Sequence, residues 1–159
     1  MSRTFITKIA SLNINGIQSH TRVWMLAEFI SKYEIEIALL QEVTTPQIVG
    51  INGYNAQLNI GSDMRETAIL ARKELLLTKI DRVRNGRAIA AEFNGIRIVK
   101  VYAPSSTAER TQRERFINSE LPQLLTVHLQ PILMGETLTA LYYLLAPRAP
   151  PTPIGHSLR

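Results

Sequence analysis

Residues 5–17 read FITKIASLNINGI, and residues 35–42 read IEIALLQE. The first stretch is rich in β-forming residues and ends in an Asn-Gly turn signal, which predicts a strand over residues 5–14. The second stretch is a short apolar run, which predicts a buried strand over residues 35–40 that leads into Gln41 and Glu42. Each of the two strands therefore carries polar residues to the point where it ends.

Residues 19–33 lie between these strands and have the periodicity of a helix. Apolar side chains recur at i, i+3, i+4 and i+7, namely Val23, Leu26, Ala27 and Ile30. Further strands are predicted over residues 54–60, 67–72, 75–80, 88–93, 96–102 and 132–134, and a second helix over about 106–125. A tight turn is predicted at Asn85-Gly86, and a hairpin across Asn94-Gly95. This order predicts a mixed α/β domain in which helices cover sheets.

Composition limits the classes of protein that need considering. The chain has 159 residues, which suits one domain, and its formal net charge of +5 favours a polyanionic partner. It contains no cysteine, which excludes a disulfide framework and a thiolate metal site. Its first apolar run is broken by Lys8 and is too short for a signal peptide. We therefore expect an intracellular protein, cytoplasmic or nuclear, that is not secreted and does not enter a membrane; its oligomeric state is left open.

Polar residues at predicted strand ends are the candidates for chemistry, since functional groups often lie where a rigid scaffold meets a loop. Glu42 could hold Mg²⁺ through oxygen, with water completing the coordination. The amides of Asn13 and Asn15 and the hydroxyl of Tyr102 could hydrogen-bond a phosphate. Each residue also has an ordinary structural interpretation: a solvated carboxylate, turn-forming asparagines and a packed ring with an exposed hydroxyl.

Taken together and in order, the segments SLNINGI, LLQE, TAIL, VYAPSS and PILMG resemble the endonuclease/exonuclease/phosphatase superfamily. They are most similar to the apurinic-type endonuclease domain of LINE-like (non-LTR) retrotransposons, over about residues 5–135. The resemblance implies the N-terminal part of a two-sheet α/β sandwich and Mg²⁺-dependent cleavage of a phosphodiester. In the retrotransposon branch, that cleavage nicks target DNA to prime reverse transcription.

The resemblance also implies roles for individual residues. Glu42 matches the metal-binding glutamate, Asn13 and Asn15 match the polar pair after the first strand, and Tyr102 matches the tyrosine near the scissile phosphate. A basic stretch at the start of the second helix, containing Arg110, Arg113 and Arg115, could lie near DNA phosphates. The same arginines also fit a solvated helix face, with Glu109 and Glu114 as their partners.

The pattern departs from the family after Gly135. The family's strand ends in Gly-Asp-Phe-Asn, whereas here Glu136 occupies the aspartate position and Leu138 the asparagine position. Glu136 is one methylene longer than aspartate, and a misplacement of about 1 Å can cost roughly 10²-fold in rate. A Ser-Asp-His segment is absent, and His156 lacks the preceding aspartate. We therefore expect the chain to be truncated relative to the family and inactive by itself.

The residues after Gly135 also suggest an origin for this departure. Codons for Glu136-Thr137-Leu138-Thr139 can contain Asp-Phe-Asn in another frame, so residues 136–159 could be an out-of-frame tail without regular structure. The alternative is a genuine, divergent C-terminus. The predicted organisation is an incomplete domain over residues 1–135, with one sheet left unpaired, followed by this tail.

Three functions fit the resemblance. The first is a DNA endonuclease, active here or only in a complete parent chain. The second is a non-catalytic relic that binds nucleic acid through its basic surface. The third is a phosphatase of the same superfamily, although LNINGI and VYAPSS favour the retrotransposon branch.

Overall fold

A computed structural model describes residues 4–16, 19–43, 50–61, 66–103, 106–125, 131–135 and 140–147. The elements in chain order are β1 (Thr4–Asn13), α1 (His20–Lys32), β2 (Ile37–Gln41), β3 (Tyr54–Asn59), β4 (Thr67–Arg72), β5 (Thr78–Arg82), β6 (Ala88–Phe93), β7 (Ile96–Val101), a 3₁₀ turn (Thr107–Glu109), α2 (Arg110–Arg115), a π turn (Phe116–Glu120), α3 (Leu121–Leu125), β8 (Ile132–Gly135) and β9 (Ala140–Pro147). Within these parts, neither the length nor the hydropathy of any helix suffices to cross a membrane.

The strands form two sheets. Sheet one has the order β3-β4-β2-β1-β9, and sheet two has the order β5-β6-β7-β8. The pairs β1–β2 and β7–β8 are parallel, and the other neighbours are antiparallel. Because β1 and β2 are parallel neighbours in register, with Asn13 opposite Gln41, their polar ends meet at one edge of the sheet.

The main core lies between the two sheets and follows from the alternation of side chains along each strand. Ile37 and Leu39 of β2 point from sheet one toward Ile89 and Ile98 of sheet two, and all four are completely buried. This apolar layer excludes water between the sheets and holds the strand ends in fixed relative positions. The expectation that one sheet would be left unpaired is wrong, because the residues of β5 to β8 suffice to cover the inner face of sheet one.

Helices cover the outer face of each sheet. Leu26 and Ile30 of α1 pack on the outward residues of sheet one, as the periodicity of residues 19–33 predicts. The helix starts where the Ser19 side chain accepts a hydrogen bond from the backbone N–H of Arg22. Phe116 and Leu124 of the second helical segment pack on sheet two. The domain is therefore a sandwich of two sheets between two helical layers.

One predicted strand is displaced in the structure. Residues 75–80 are predicted to be extended, but the strand runs over Thr78–Arg82. Leu75 belongs to a turn and is buried in the inter-sheet core, so its hydrophobicity serves packing and not strand pairing. The strand itself is irregular, with a register shift after Thr78 and a positive φ of 45° at Lys79.

The prediction of an irregular tail is wrong for residues 140–147. They form β9, which pairs antiparallel with β1 from Thr4 opposite Pro147 to Ser11 opposite Ala140. The physical reason is that β1 would otherwise be an edge strand with unpaired N–H and C=O groups, which readily pair with a neighbouring β-forming segment. Residues 136–139 and 148–159 lie outside the described residues.

The end of β8 approaches β1 so closely that only glycine fits. A Cβ on Gly135 would lie 2.7 Å from the Ser11 Oγ and 3.1 Å from a Leu39 methyl group. We expect Gly135→Ala to lower the free energy of unfolding by about 1–3 kcal/mol, as overpacked cores do. Gly50→Ala is the matched control, since a Cβ there would meet nothing within 4 Å. Urea unfolding measures both; equal midpoints would show that β8 does not dock as described.

Candidate active site

One end of the inter-sheet core is polar. Ser11, Gln41, Thr67 and Lys100 are all completely buried there. The Lys100 ammonium group donates a hydrogen bond of 2.9 Å to the Ser11 hydroxyl and so links sheet two to sheet one. Buried ionisable side chains are costly unless partnered, and they are often found close to functional sites.

This link shows which strand ends share one side of the molecule. β1 and β7 both run from the apolar cluster toward the Ser11–Lys100 contact. Asn13 follows Ser11 by two residues on β1, and Tyr102 follows Lys100 by two residues just after β7. Because side chains two residues apart on a strand share a face, Asn13 and Tyr102 emerge at the same end of the inter-sheet gap.

Asn13 and Glu42 are in direct contact. The Asn13 side-chain amide donates a hydrogen bond of 2.9 Å to one carboxylate oxygen of Glu42. The side-chain oxygen Oδ1 of Asn13 accepts a hydrogen bond of 2.8 Å from the backbone N–H of Asn15. The structure thus brings together three of the residues that the sequence predicts for the site, and Asn13 fixes the orientation of the carboxylate.

The backbone at this contact is in an unusual conformation. Asn15 has a φ of 44° and Glu42 a φ of 58°, both in the left-handed region. Asparagine tolerates this region, but for glutamate it costs about 1–2 kcal/mol. The backbone N–H of Gly16 donates to the Glu42 carbonyl at 2.9 Å, which ties the two loops together. Such strain persists where contacts with the surrounding structure hold the backbone in place, and strained residues cluster at functional sites.

Arg22 secures the same loop from α1. Its guanidinium donates hydrogen bonds of 2.5 and 2.6 Å to the backbone carbonyls of Asn15 and Gly16. The residue is not among those predicted for the site from the sequence. Its position in the sequence could have identified it as a site residue. Arg22 lies in the first turn of a helix that follows the Asn-Gly loop, so its long cationic side chain can reach back to the carbonyl groups of that loop.

The Asn13–Glu42 contact and the residues beside it form a corner of the sheet, called the Asn13–Glu42 corner. The oxygen atoms of this corner are suited to bind a hard divalent cation. Glu42 is half-buried, and carboxylate and amide oxygens are the ligands that Mg²⁺ accepts. Among the described residues, the side-chain nitrogen and oxygen of the neighbouring Gln41 are buried without a hydrogen-bond partner, so they are suited to hydrogen-bond a bound water. Within the described ranges, no cluster of three or more His, Cys, Asp or Glu side chains occurs.

Tyr102 is anchored by Arg87. The backbone N–H of Tyr102 donates to the Arg87 carbonyl at 2.7 Å, and the Arg87 guanidinium lies 6.0 Å from the centre of the Tyr102 ring. Arg87 is buried and forms an ion pair of 3.0 Å with Glu109. This pair joins the start of β6, which lies beside Tyr102, to the 3₁₀ turn that precedes α2, so the second helical segment begins near the polar end of the gap.

The three arginines predicted to meet DNA lie on α2, over the outer face of sheet two. Arg110 forms an exposed ion pair of 2.9 Å with Glu114, and Arg115 lies 3.5 Å from Glu120. Arg113 donates a hydrogen bond of 3.4 Å to the backbone carbonyl of Ser106. The pairing of Arg110 with Glu114 matches the alternative interpretation of a solvated helix face. Glu136, the candidate catalytic carboxylate, lies outside the described residues.

Glu66 is a carboxylate near this end that the sequence interpretation did not single out. Its backbone carbonyl accepts a hydrogen bond of 3.3 Å from the Val43 N–H, directly after Glu42. Burial raises the pKa of the Glu66 carboxyl above its usual range. The folded state therefore holds this proton more tightly than the unfolded state, and the resulting stability is lost as the pH rises through the pKa.

Glu66→Gln is accordingly expected to stabilise the protein in a pH-dependent way. At about pH 7 the variant should melt at a higher temperature than the parent, because it has no charge to bury. Near about pH 3 the difference should disappear, since the parent carboxyl is then protonated in both states. Thermal melts monitored by circular dichroism measure this, with exposed Glu74→Gln as control. A stabilisation that persists at low pH would exclude burial of the charge as its cause.

Comparison with known proteins identifies the fold. No family model and no curated protein sequence matches this chain. A humanized D. rerio TDP2 with 14 mutations superposes with a TM-score of 0.63 at 17% identity, covering 82% of this chain and 61% of that chain. Truncated Caenorhabditis elegans TDP2 gives 0.61 at 19% identity, covering 83% and 61%. C. elegans TDP2 gives 0.60 at 16% identity, covering 83% and 47%.

The chain therefore spans less than two thirds of the length of these TDP2 structures. Identities this low are evidence of a shared fold and of nothing more specific. The fold is a two-sheet α/β sandwich like that of these TDP2 structures, and the predicted fold class is confirmed.

Proposed function

We propose that this chain is the metal-binding N-terminal part of a Mg²⁺-dependent DNA endonuclease of the non-LTR retrotransposon type, and that it is catalytically deficient as it stands. The observation that carries the proposal is the contact of 2.9 Å between Asn13 and Glu42, made by two strand ends whose loops hold strained backbone. A solvated surface glutamate needs neither an oriented amide partner nor a left-handed backbone. The likeness to TDP2 supports a hydrolase acting on phosphodiesters in DNA.

The residues of this corner have complementary roles in the proposal. Glu42 would hold the Mg²⁺, and Asn13 keeps one of its carboxylate oxygens in place. When bound, such an ion acts as a Lewis acid toward a phosphoryl oxygen. Tyr102 emerges at the same end of the gap, and in this proposal its hydroxyl donates to a phosphate from the side of the opposite sheet. Asn15 supports Asn13 through its backbone N–H, and its own side chain is exposed.

The retrotransposon branch is supported by the motifs LNINGI and VYAPSS. DNA as partner is supported by the net charge of +5 and by the arginines of the second helical segment. Action on DNA also supports an intracellular location. The out-of-frame origin of the chain after Gly135 stays a hypothesis, which the nucleotide sequence across codons 130 to 159 tests directly.

Catalytic deficiency follows from the residues after Gly135. Glu136 and Leu138 replace an aspartate and an asparagine of the resembling family, and leucine cannot replace an amide that holds a phosphate. The test is nicking of supercoiled plasmid with Mg²⁺, by the parent chain and by Glu42→Ala. We expect no Mg²⁺-dependent nicking above the Glu42→Ala background, together with salt-sensitive DNA binding. Mg²⁺-dependent nicking that Glu42→Ala abolishes would overturn the deficiency and establish the chain as an active nuclease.

A further inference from the structure

A basic cleft lies beside the candidate active site, between the β5–β6 turn and the second helical segment. Its volume is about 590 Å³. Four arginines line it, Arg82, Arg84, Arg87 and Arg115, together with one carboxylate, Glu120. Three of the arginines come from a stretch of six residues in the turn, and the fourth comes from α2, so the cleft exists only in the folded protein.

The charges in this basic cleft are only partly compensated. Arg82 donates hydrogen bonds to neutral groups, the Leu58 carbonyl at 2.7 Å and the Gln57 side-chain oxygen at 3.0 Å, so its charge remains available. Arg84 is exposed, and its side chain has no ionic partner in the part of the chain that the structure describes. Arg115 lies 3.5 Å from one carboxylate oxygen of Glu120, and the other oxygen accepts a hydrogen bond from the Asn85 side chain.

The turn that presents these arginines is held rigidly. A Cβ on Gly61 would lie 2.6 Å from the backbone carbonyl carbon of Asn85, so β3 and the turn are in close backbone contact. The Thr67 hydroxyl donates a hydrogen bond of 2.9 Å to the Gly86 carbonyl, and the Asn59 amide donates at 2.9 Å to the Val83 carbonyl. A rigid array of cations loses little conformational freedom when it binds an anion.

The basic cleft is linked through Arg87 to the end of the gap where Tyr102 emerges. Arg87 lines the cleft, and its guanidinium lies over the Tyr102 ring at 6.0 Å and donates to the Tyr102 carbonyl at 3.4 Å. Arg87 therefore connects the cleft to the end of the molecule that also carries Asn13 and Glu42.

We propose that the basic cleft binds the phosphate backbone of DNA on one side of the scissile position, with Arg84 and Arg115 making the ionic contacts. This inference rests on the proposed function for the nature of the ligand. The side chains of Gln112 and Gln123 also line the cleft and supply neutral hydrogen-bond donors. Among the described residues, none that lines the cleft has an aromatic ring on which a base could stack. In this proposal the arginines contact phosphates, which position DNA without reading its sequence.

The test is the salt dependence of binding to two unrelated fluorescein-labelled duplexes, in EDTA, for the parent chain and Arg84→Gln/Arg115→Gln. Each lost phosphate contact lowers the slope of log K against log salt by about 1, so we expect a decrease of about 2 and equal weakening on both duplexes. Lys32→Gln is the control for lost charge, because Lys32 is exposed at the far end of α1. It should leave the slope unchanged.

The possible outcomes separate this inference from the proposed function. A slope that stays unchanged in the double variant, or that falls equally in Lys32→Gln, would overturn the binding role of the cleft even if Glu42 proves to bind metal. A weakening confined to one duplex would overturn sequence-independent contact. A decrease of about 2 establishes the cleft as a DNA site, and it does so even if metal binding at Glu42 fails.

Discussion

Glu42→Gln is expected to lower the affinity of this chain for Mn²⁺, used as a spectroscopic substitute for Mg²⁺, by about 100-fold or more. The substitution keeps the size of the side chain but removes the carboxylate charge, and loss of a residue that only supports a metal ligand already costs about 10–100-fold. Electron paramagnetic resonance of free Mn²⁺ during titration measures the dissociation constant without requiring any catalytic activity.

Two variants sharpen this experiment. Glu28→Gln removes an equivalent charge from an exposed position on α1 and should leave Mn²⁺ affinity unchanged. Asn13→Ala keeps the carboxylate but removes its hydrogen bond of 2.9 Å, so an intermediate loss of about 10-fold is expected. If Glu42→Gln and Glu28→Gln bind Mn²⁺ equally well, the metal site is not at this corner and the proposed function loses its main support.

Phe116→Ala is expected to lower the free energy of unfolding by about 3–5 kcal/mol, as truncation of a buried phenylalanine commonly does. The ring is 1% exposed and belongs to the cluster that joins the second helical segment to sheet two. Since small domains are stable by only about 5–15 kcal/mol, this loss is a large part of the total. Urea unfolding followed by circular dichroism measures it.

The neighbouring residue provides a matched control for this prediction. Ile117 lies in the same π turn but is 48% exposed, so Ile117→Ala should cost less than about 1 kcal/mol. Because Phe116 anchors the segment that places Arg115 in the basic cleft, Phe116→Ala should also weaken DNA binding. Equal costs for the two substitutions would show that the second helical segment is not packed on sheet two.

The choice of function among the three alternatives now depends on the corner and the cleft together. A relic that binds nucleic acid nonspecifically requires the basic cleft but has no use for a carboxylate held by Asn13. A phosphatase of small molecules requires a metal site but does not require a cleft lined by four arginines. Both features in one chain favour an ancestor that cut a long polyanion.

Sequence periodicity by itself determined the core and most of the elements. The helical spacing of Leu26 and Ile30 and the apolar run around Leu39 predict which faces are buried, because local geometry decides where side chains point. The polar residues that follow β1 and β2 could be identified from the sequence for the same reason, since the predicted strands end beside them. Sequence reasoning failed where a hydrophobic residue packs from a turn, as Leu75 does, since hydropathy does not distinguish a strand from a covered loop.

Only the tertiary structure decided which distant groups meet. Lys100 contacts Ser11 across 89 positions of the chain, and Asn13 contacts Glu42 across 29 positions. The basic cleft is formed by the turn after β5 and by α2, which follows the β6–β7 hairpin in the chain. The strand β9, which lies in the C-terminal tail, pairs with the edge of β1. Such contacts depend on how sheets pair and stack, which is a property of the whole chain, and no local pattern of residue types encodes them.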